Sequence, residues 1–253
     1  MMQRPPATAG SSVGAGLLDP TTESTVGVII AAAGRGERLG LGVPKAFVAL
    51  AGEPMVVRAL RLCANAGFFG RAVVAVPQTH VTRFRELLAA GAPWPFPVDS
   101  VIGGDDRQES VGRSLAVLGE DCEIVVIHDA VRPLVSAKLF LACVESARRC
   151  GAAVAAVPVR DTLKRAAGEH VTATVDREGL WMVQTPQAFR LSLLREAHGR
   201  AIETGYRATD DAALVERAGG AVQLVRGEEA NIKITEPGDL RYAELLLRAG
   251  ALS

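Results

Sequence analysis

The chain has no basic excess: 28 Lys and Arg are balanced by 28 Asp and Glu, with 4 His. That balance provides no general field for holding nucleic acid, so any cation that matters must act locally. Cysteine is sparse as well. Cys63, Cys122, Cys143 and Cys150 show no CxxC spacing and no clustering with histidine. This argues against a zinc site and for reduced, mostly buried thiols in a cytoplasmic protein. No apolar run approaches the ~20 residues of a membrane span, so no membrane association is expected. Two nucleotide-binding signatures are missing too. A Walker A loop ends in Gly-Lys-Ser/Thr, whereas Lys45 lies between Pro44 and Ala46, with no hydroxyl placed for magnesium. Gly34, Gly36 and Gly40 are one residue too widely spaced for the dinucleotide fingerprint, which removes the dehydrogenase reading. Glu53 stands near the offset of a ribose-binding acid, but within Ala51-Gly52-Glu53-Pro54 it reads as a turn before a helix.

What the chain does have is 253 residues, 49% of them hydrophobic, enough for one sizeable α/β domain with a full core. Residues 1–24 are rich in Pro, Gly, Ser and Thr without periodicity, and read as a disordered extension. Residues 25–253 read as a single domain in which apolar runs alternate with amphipathic stretches, the pattern of a parallel sheet covered by helices. Strands are expected at Val26–Ala32, Ala72–Val76, Val98–Ile102, Ile124–Ile127, Ala152–Val157 and Val222–Val225. Helices are expected at Pro54–Ala66, Thr79–Ala90, Arg107–Leu118, Ala137–Cys150, Ser192–Thr204, Asp210–Ala218 and Pro237–Arg248. Thr79, Ser136 and Asp210 read as N-caps, Pro54 and Pro237 as first-turn prolines, and Gly67, Gly91, Gly119, Gly151 and Gly219 as helix stops. The fold class is therefore α/β: a Rossmann-like, doubly wound, mainly parallel sheet. Residues from about 159 to 182 break the rhythm and alternate around Gly168 as a β-hairpin. An exposed two-stranded arm is marginal alone, so it is expected to pack on a second subunit as a dimerisation arm.

Directly after Val26–Ile30 comes Ala31-Ala-Ala-Gly34-Arg-Gly36-Glu-Arg38-Leu-Gly40, ending in Pro44-Lys45. A loop so rich in small residues lets backbone N–H groups approach a ligand, and its cations point to a polyanion such as nucleotide phosphate. An ordinary strand-to-helix connection with solvated arginines is the plain alternative. Ligands bind beyond the carboxyl ends of strands in such sheets, and two more segments fall there. Gly103-Gly104-Asp105-Asp106-Arg107 through Ser110 allows close approach of a flat base, with Ser110 hydrogen-bonding from a first helical turn; a Gly-Gly turn followed by a cap is equally compatible. In Ile127-His128-Asp129-Ala130-Val131-Arg132, a carboxylate beside a phosphate site suits a bridging Mg²⁺, and Arg132 suits a second anion. The alternative is Asp129 as a capping acid paired with Arg132. His128 reads as a packed strand-end residue. Lys233, between Ile232 and Ile234, is an inward lysine that needs an anion, and Arg177 adds a further cation past the hairpin. Arg38, Lys45, Arg132, Arg177 and Lys233 together exceed the needs of one triphosphate, which implies two anionic substrates.

These blocks, with Pro158-Val-Arg-Asp161-Thr162, Val175-Asp-Arg177 to Trp181, Thr185-Pro-Gln187, Thr209-Asp210 and Asn231-Ile-Lys233, run in order from residue 26 to about 249. The ordered set resembles the 2-C-methyl-D-erythritol 4-phosphate cytidylyltransferases. The resemblance implies transfer of CMP from CTP to methylerythritol phosphate by in-line attack on the α-phosphate, in non-mevalonate isoprenoid precursor biosynthesis. By matching position it implies that Arg38, Lys45 and Lys233 are catalytic, and that Asp129 binds Mg²⁺ or Mn²⁺. It assigns Ala32, Ala33, Gly34, Gly104, Asp105 and Ser110 to the nucleotide, and Arg132, Thr162, Arg177 and Thr209 to methylerythritol phosphate. It places Thr209 and Arg177 on the partner subunit of an arm-exchanged homodimer. Val131 replaces an expected Ala, and Leu39 stands where Met is common; neither change removes a polar group. A cytidylyltransferase for another polyol phosphate, such as ribitol 5-phosphate, would share the nucleotide half. A non-catalytic nucleotide-binding protein would not be expected to keep Lys45, Asp129 and Lys233 together.

Overall fold

The structure, a computed structural model, describes residues 26–34 and 42–250. The expected N-terminal extension and Arg38 lie outside the described residues. In chain order the strands are β1 (Val26–Ala31), β2 (Ala49–Leu50), β3 (Glu53–Pro54), β4 (Arg71–Val76), β5 (Val98–Ile102), β6 (Ile124–Asp129), β7 (Ala152–Pro158), β8 (Leu163–Ala167), β9 (His170–Val175), β10 (Trp181–Arg190) and β11 (Gln223–Arg226). The helices are α1 (Met55–Ala66), α2 (Val81–Ala90), α3 (Arg107–Val117), α4 (Ala137–Cys150), α5 (Leu191–Thr204), α6 (Asp211–Arg217) and α7 (Pro237–Arg248).

Seven strands form the central sheet in the order β11-β7-β10-β6-β1-β4-β5. β10 runs antiparallel to β6 and β7, and the other ladders of this sheet are parallel. Side chains alternate across it with the period of two that a pleated strand imposes. Val28 and Ile30 of β1 join Leu60 of α1 and Phe140 of α4 on one face. Ile29, between them, joins Leu115 of α3 and Leu194 of α5 on the other. Both faces are thus covered, which explains why β1, β4 and β6 read as continuous apolar runs. Each such fully buried side chain is worth roughly 1.5–3 kcal/mol relative to exposure.

Ser136 and Asp210 cap their helices as expected, accepting from Leu139 N at 3.1 Å and Ala213 N at 3.0 Å. Thr79 does not cap α2. A 3-10 turn, Gln78–His80, precedes that helix, and Thr79 Oγ1 meets His80 Nδ1 at 2.9 Å instead. Pro54 ends β3, one residue before α1, rather than opening the helix. Asp106, which had no assigned role, caps α3 by accepting from Glu109 N at 2.8 Å. Glu53 sits in a tight β2–β3 hairpin and pairs with Arg61 at 2.8 Å, as its turn context indicated.

The strand of the central sheet absent from the sequence-based expectation is β10; the two-residue β2 and β3 were not expected either. Its middle carries Gln184, Thr185, Pro186 and Gln187, polar and imino residues that normally argue against a central strand. Register with β7 breaks between Val183 and Gln187, which accommodates the proline. The hairpin is present: β8 and β9 pair only with each other, around Gly168 at a φ of +58°. Nearly all of its residues are exposed. Its base is tied by the Arg160–Glu229 ion pair at 2.5 Å and by an Arg177 hydrogen bond to the Arg160 carbonyl.

A smaller cluster places the last part of the site. Leu50, Met55, Leu134, Ile234 and Ala243 pack together beside α7. Ile234 N donates to the Val131 carbonyl at 2.8 Å, docking the irregular segment 231–235 against the connection that follows β6.

Candidate active site

β6 and β1 lie side by side, with β5 beyond β4, and the carboxyl ends of β1, β5 and β6 contribute the floor of the site. Ala31 lies in register with Asp129, the last residue of β6. Gly103, just past β5, packs so tightly on the connection after β1 that a Cβ there would lie 2.2 Å from the Ala33 Cβ. A Cβ on Gly104 would fall 2.4 Å from the Glu109 side chain. The two glycines therefore serve packing of the protein on itself, rather than only a base as expected. Ser110 knits the same turn, accepting from Gly104 N at 3.0 Å and donating to the Asp106 carbonyl at 2.8 Å.

A cavity of about 470 Å³ opens above this floor, lined by Ala31–Gly34, Lys45, Gly104–Arg107, Ser110, Asp129 and Lys233 among others. It brings together Ala32, Ala33, Gly34, Lys45, Gly104, Asp105, Ser110, Asp129 and Lys233 from the expected set. A second cavity, of about 670 Å³, is lined by Arg132, Thr185, Gln187, Thr209 and Asp210 among others. Arg107, Asp129 and Lys233 line both cavities, and so form their common wall. Thr209 reaches this second cavity from its own chain, so no partner subunit is needed to bring it beside Arg132. Thr162 and Arg177 are exposed on the arm and line neither cavity.

The wall is a charge network. Lys233 Nζ meets Asp129 Oδ2 at 2.7 Å, and Arg107 Nε meets Asp129 Oδ1 at 3.1 Å. Burial alone would raise the Asp129 carboxyl, but Arg107 and Lys233 outweigh it and hold the group well below the usual carboxylate range. Arg107 continues to Asp211 through Nη1 at 2.5 Å, and Asp211 meets His198 Nε2 at 3.1 Å. Burial disfavours the Arg107 charge, yet Asp211 and Asp129 keep the guanidinium firmly protonated. Arg107, Asp211 and His198 were not assigned by sequence reasoning. Arg107 stood within a recognised block, but its partners are 22 and 104 residues away, beyond any local signal.

Arg132 does not pair with Asp129. Its Nη1 donates to the Asn231 carbonyl at 2.7 Å and its Nη2 to the Val183 carbonyl at 3.4 Å, tying segment 231–235 to β10. Burial lowers its pKa below the usual arginine value. His128 is fully buried, as the packed reading required, and burial pushes its pKa down to about 4, so the ring is neutral. Its Nε2 lies 3.1 Å from the Arg132 carbonyl, which can only accept. Nε2 therefore carries the proton, and Nδ1 accepts from the Thr185 hydroxyl at 3.1 Å. That leaves the Thr185 oxygen to accept from Asp129 N at 3.0 Å. A relay of oriented hydrogen bonds thus fixes the backbone of Asp129 from β10.

Among the described residues, no three His, Cys, Asp or Glu side chains come together as a metal cage. Asp129 is an oxygen ligand of the kind Mg²⁺ accepts, and that ion is commonly held by one or two carboxylates together with substrate phosphates. The donor chemistry therefore fits a hard cation arriving with a nucleotide. The arrangement can receive a flat group against small residues, a polyanion against Lys45 and Lys233, and a second anionic molecule from the far side of the wall.

The chain is similar to known proteins over most of its length. A family model described as IspD, 2-C-methyl-D-erythritol 4-phosphate cytidylyltransferase, matches residues 26–249. A protein of that name from Geobacillus kaustophilus is 45% identical over 223 residues, covering 87% of this chain and 95% of its own. Another from Deinococcus radiodurans is 44% identical over 228 residues, covering 89% and 91%. The crystal structure of the protein of that name from Thermus thermophilus superimposes with a TM-score of 0.73 at 39% identity, covering 88% of this chain and 98% of its own.

Proposed function

The chain belongs to the 2-C-methyl-D-erythritol 4-phosphate cytidylyltransferase family, and from that premise we propose how its residues carry out the reaction. It is a nucleotidyltransferase of isoprenoid precursor biosynthesis, forming 4-diphosphocytidyl-2-C-methyl-D-erythritol and pyrophosphate from CTP and methylerythritol phosphate. One observation carries the reading: two cavities meet at a wall of Arg107, Asp129 and Lys233. The cytidine lies against Ala32, Ala33, Gly34, Gly104, Asp105 and Ser110, with its triphosphate running toward Lys45. The acceptor enters the second cavity, beside Arg132 and Thr209, with its phosphate facing the wall. Arg38 belongs with Lys45 by family position.

The family is generally metal-dependent, and Mg²⁺ held by Asp129 and the phosphates would neutralise charge on the nucleotide. The protein's own part is placement. A phosphate monoester oxygen is already nucleophilic, so no residue need act as a general base. Lys233 and Lys45 place positive charge where it develops on the α-phosphate and the departing pyrophosphate. Residues 25–253 form the single nucleotidyltransferase domain of this reading. The homodimer is part of it as well. Val171 on the arm and Leu180, Trp181, Met182 and Val183 at its base are exposed apolar residues suited to a second copy, which would carry Thr162 and Arg177 toward an acceptor. A cytoplasmic location is supported by four unpaired cysteines. No described helix is long and apolar enough to cross a membrane.

The test supplies CTP and metal with either methylerythritol phosphate or ribitol 5-phosphate and follows pyrophosphate. Release with methylerythritol phosphate is expected. Release only with ribitol phosphate would overturn the acceptor assignment, and release with neither would remove the catalytic reading.

A further inference from the structure

The two cations on Asp129 are not equivalent. Lys233 comes from an irregular segment, and its side chain is 43% exposed. It can leave Asp129 Oδ2 for a phosphate while Arg107 still balances the buried carboxylate. Arg107 cannot leave in the same way. It stands in the first turn of α3, and its Nη1 is bound to Asp211, whose side chain is 1% exposed. Asp211 opens α6, and its other oxygen is taken by His198 of α5. A line of contacts therefore runs from α5 through α6 and α3 to the end of β6. Arg107 Nη2 is buried and finds no partner among the described residues. Hydrogen bonds through Nε and Nη1 thus hold the guanidinium in place, even at the cost of an unsatisfied donor.

We propose that Arg107, braced by Asp211 and His198, is a positioning residue that fixes the Asp129 carboxylate through Oδ1, so that Oδ2 is presented to the metal–nucleotide complex when Lys233 moves to a phosphate. The inference rests on the reading of Asp129 as the acid that meets that complex. Residues behind a metal ligand commonly change metal affinity or activity by about 10–100-fold when altered. The brace therefore belongs to the chemistry, although Asp211 and His198 touch no substrate.

The test uses the full chain and the variants Arg107→Lys, which keeps the charge but loses the rigid planar fork that spans Asp129 and Asp211, and Asp211→Asn, which loosens the brace. CTP binding is titrated calorimetrically with EDTA and again with Mn²⁺, and kcat and KM are measured in parallel. Asp211→Asn is expected to bind CTP in EDTA within about 2-fold of wild type, because Asp211 lines neither cavity, whereas Arg107→Lys alters the wall itself and is read only by its metal dependence. The tightening produced by Mn²⁺ should fall by about 10–100-fold, with kcat falling while KM for methylerythritol phosphate holds within about 3-fold. Should Asp211→Asn fail to fold, His198→Gln takes its place in the same titrations. Unchanged Mn²⁺ tightening would overturn the proposal. So would an equal loss of affinity with and without metal, since that marks a merely structural role. If wild type itself shows neither Mn²⁺ tightening nor turnover, the underlying functional reading fails first, and that result differs from every variant outcome.

Discussion

Asp129→Asn is expected to reduce kcat by about 10³-fold or more, the largest loss of any single substitution in this site. The carboxylate receives Lys233 on one oxygen and Arg107 on the other, so its removal leaves Lys233 without its acid and Arg107 with Asp211 alone at the wall between the cavities. The amide keeps the size of the side chain but loses the charge that would draw a divalent cation. The fold should survive. Arg107 retains Asp211, and the backbone of residue 129 remains held by Thr185 and neighbouring β1. A stability loss of about 1–3 kcal/mol is expected, from poorly matched buried donors. Binding of CTP without metal should be unchanged or tighter, because a negative charge beside the triphosphate has gone. Steady-state pyrophosphate release, metal-free CTP titration and denaturant unfolding separate these effects. Turnover within about 10-fold of wild type would show that Asp129 is not the acid of the reaction.

Lys45→Met ranks second, with an expected fall in kcat of about 10²–10³-fold, or about 3–4 kcal/mol of lost transition-state stabilisation. Lys45 opens a 3-10 turn, Lys45–Phe47, immediately after Pro44. The turn is anchored independently of the lysine head group: Ala46 is buried, and the Phe47 ring lies 4.8 Å from that of His80. Lys45 Nζ donates to the Thr235 carbonyl at 3.2 Å, which aims the ammonium across the cavity toward the segment that carries Lys233. Methionine preserves the length of the stem, so the change removes the charge and its hydrogen bond to the Thr235 carbonyl. Stability should fall by about 1 kcal/mol. If Lys45 acts on charge that develops as pyrophosphate departs, the loss appears in kcat. A rise in KM for CTP with kcat preserved would mean that it only binds the ground state.

How much of this was legible beforehand follows from the range over which each feature is determined. The outer frame was readable because buried parallel strands and amphipathic helices declare themselves within ten or so residues; β5, α4 and α7 have the bounds expected. β10 escaped because a strand interrupted by Thr185-Pro186 depends on its neighbours for definition, and those neighbours are β6 and β7. The nucleotide side of the site was readable from small residues at strand ends, and Ala32, Ala33, Gly104, Ser110, Lys45, Asp129 and Lys233 do converge. Partnership was not readable. Asp210 announced itself as a cap, while Asp211 beside it carries the bond to Arg107, and nothing in the pair of letters says which aspartate points inward. Asp129 was matched with nearby Arg132 in one reading, yet the fold brings it Arg107 and Lys233 and directs Arg132 to backbone carbonyls. Thr162 and Arg177 depend on whatever packs against the arm, and one chain does not place them at the cavities.

The central claim is a direct displacement between two phosphates across the Arg107–Asp129–Lys233 wall, with no covalent stage. It is tested most directly by turnover of a single diastereomer of CTP carrying sulfur on the α-phosphorus, with methylerythritol phosphate as acceptor. In-line attack by the acceptor phosphate predicts inversion at that phosphorus in the diphosphocytidyl product. Retention would require two successive displacements and therefore a cytidylyl-enzyme, which would contradict the account.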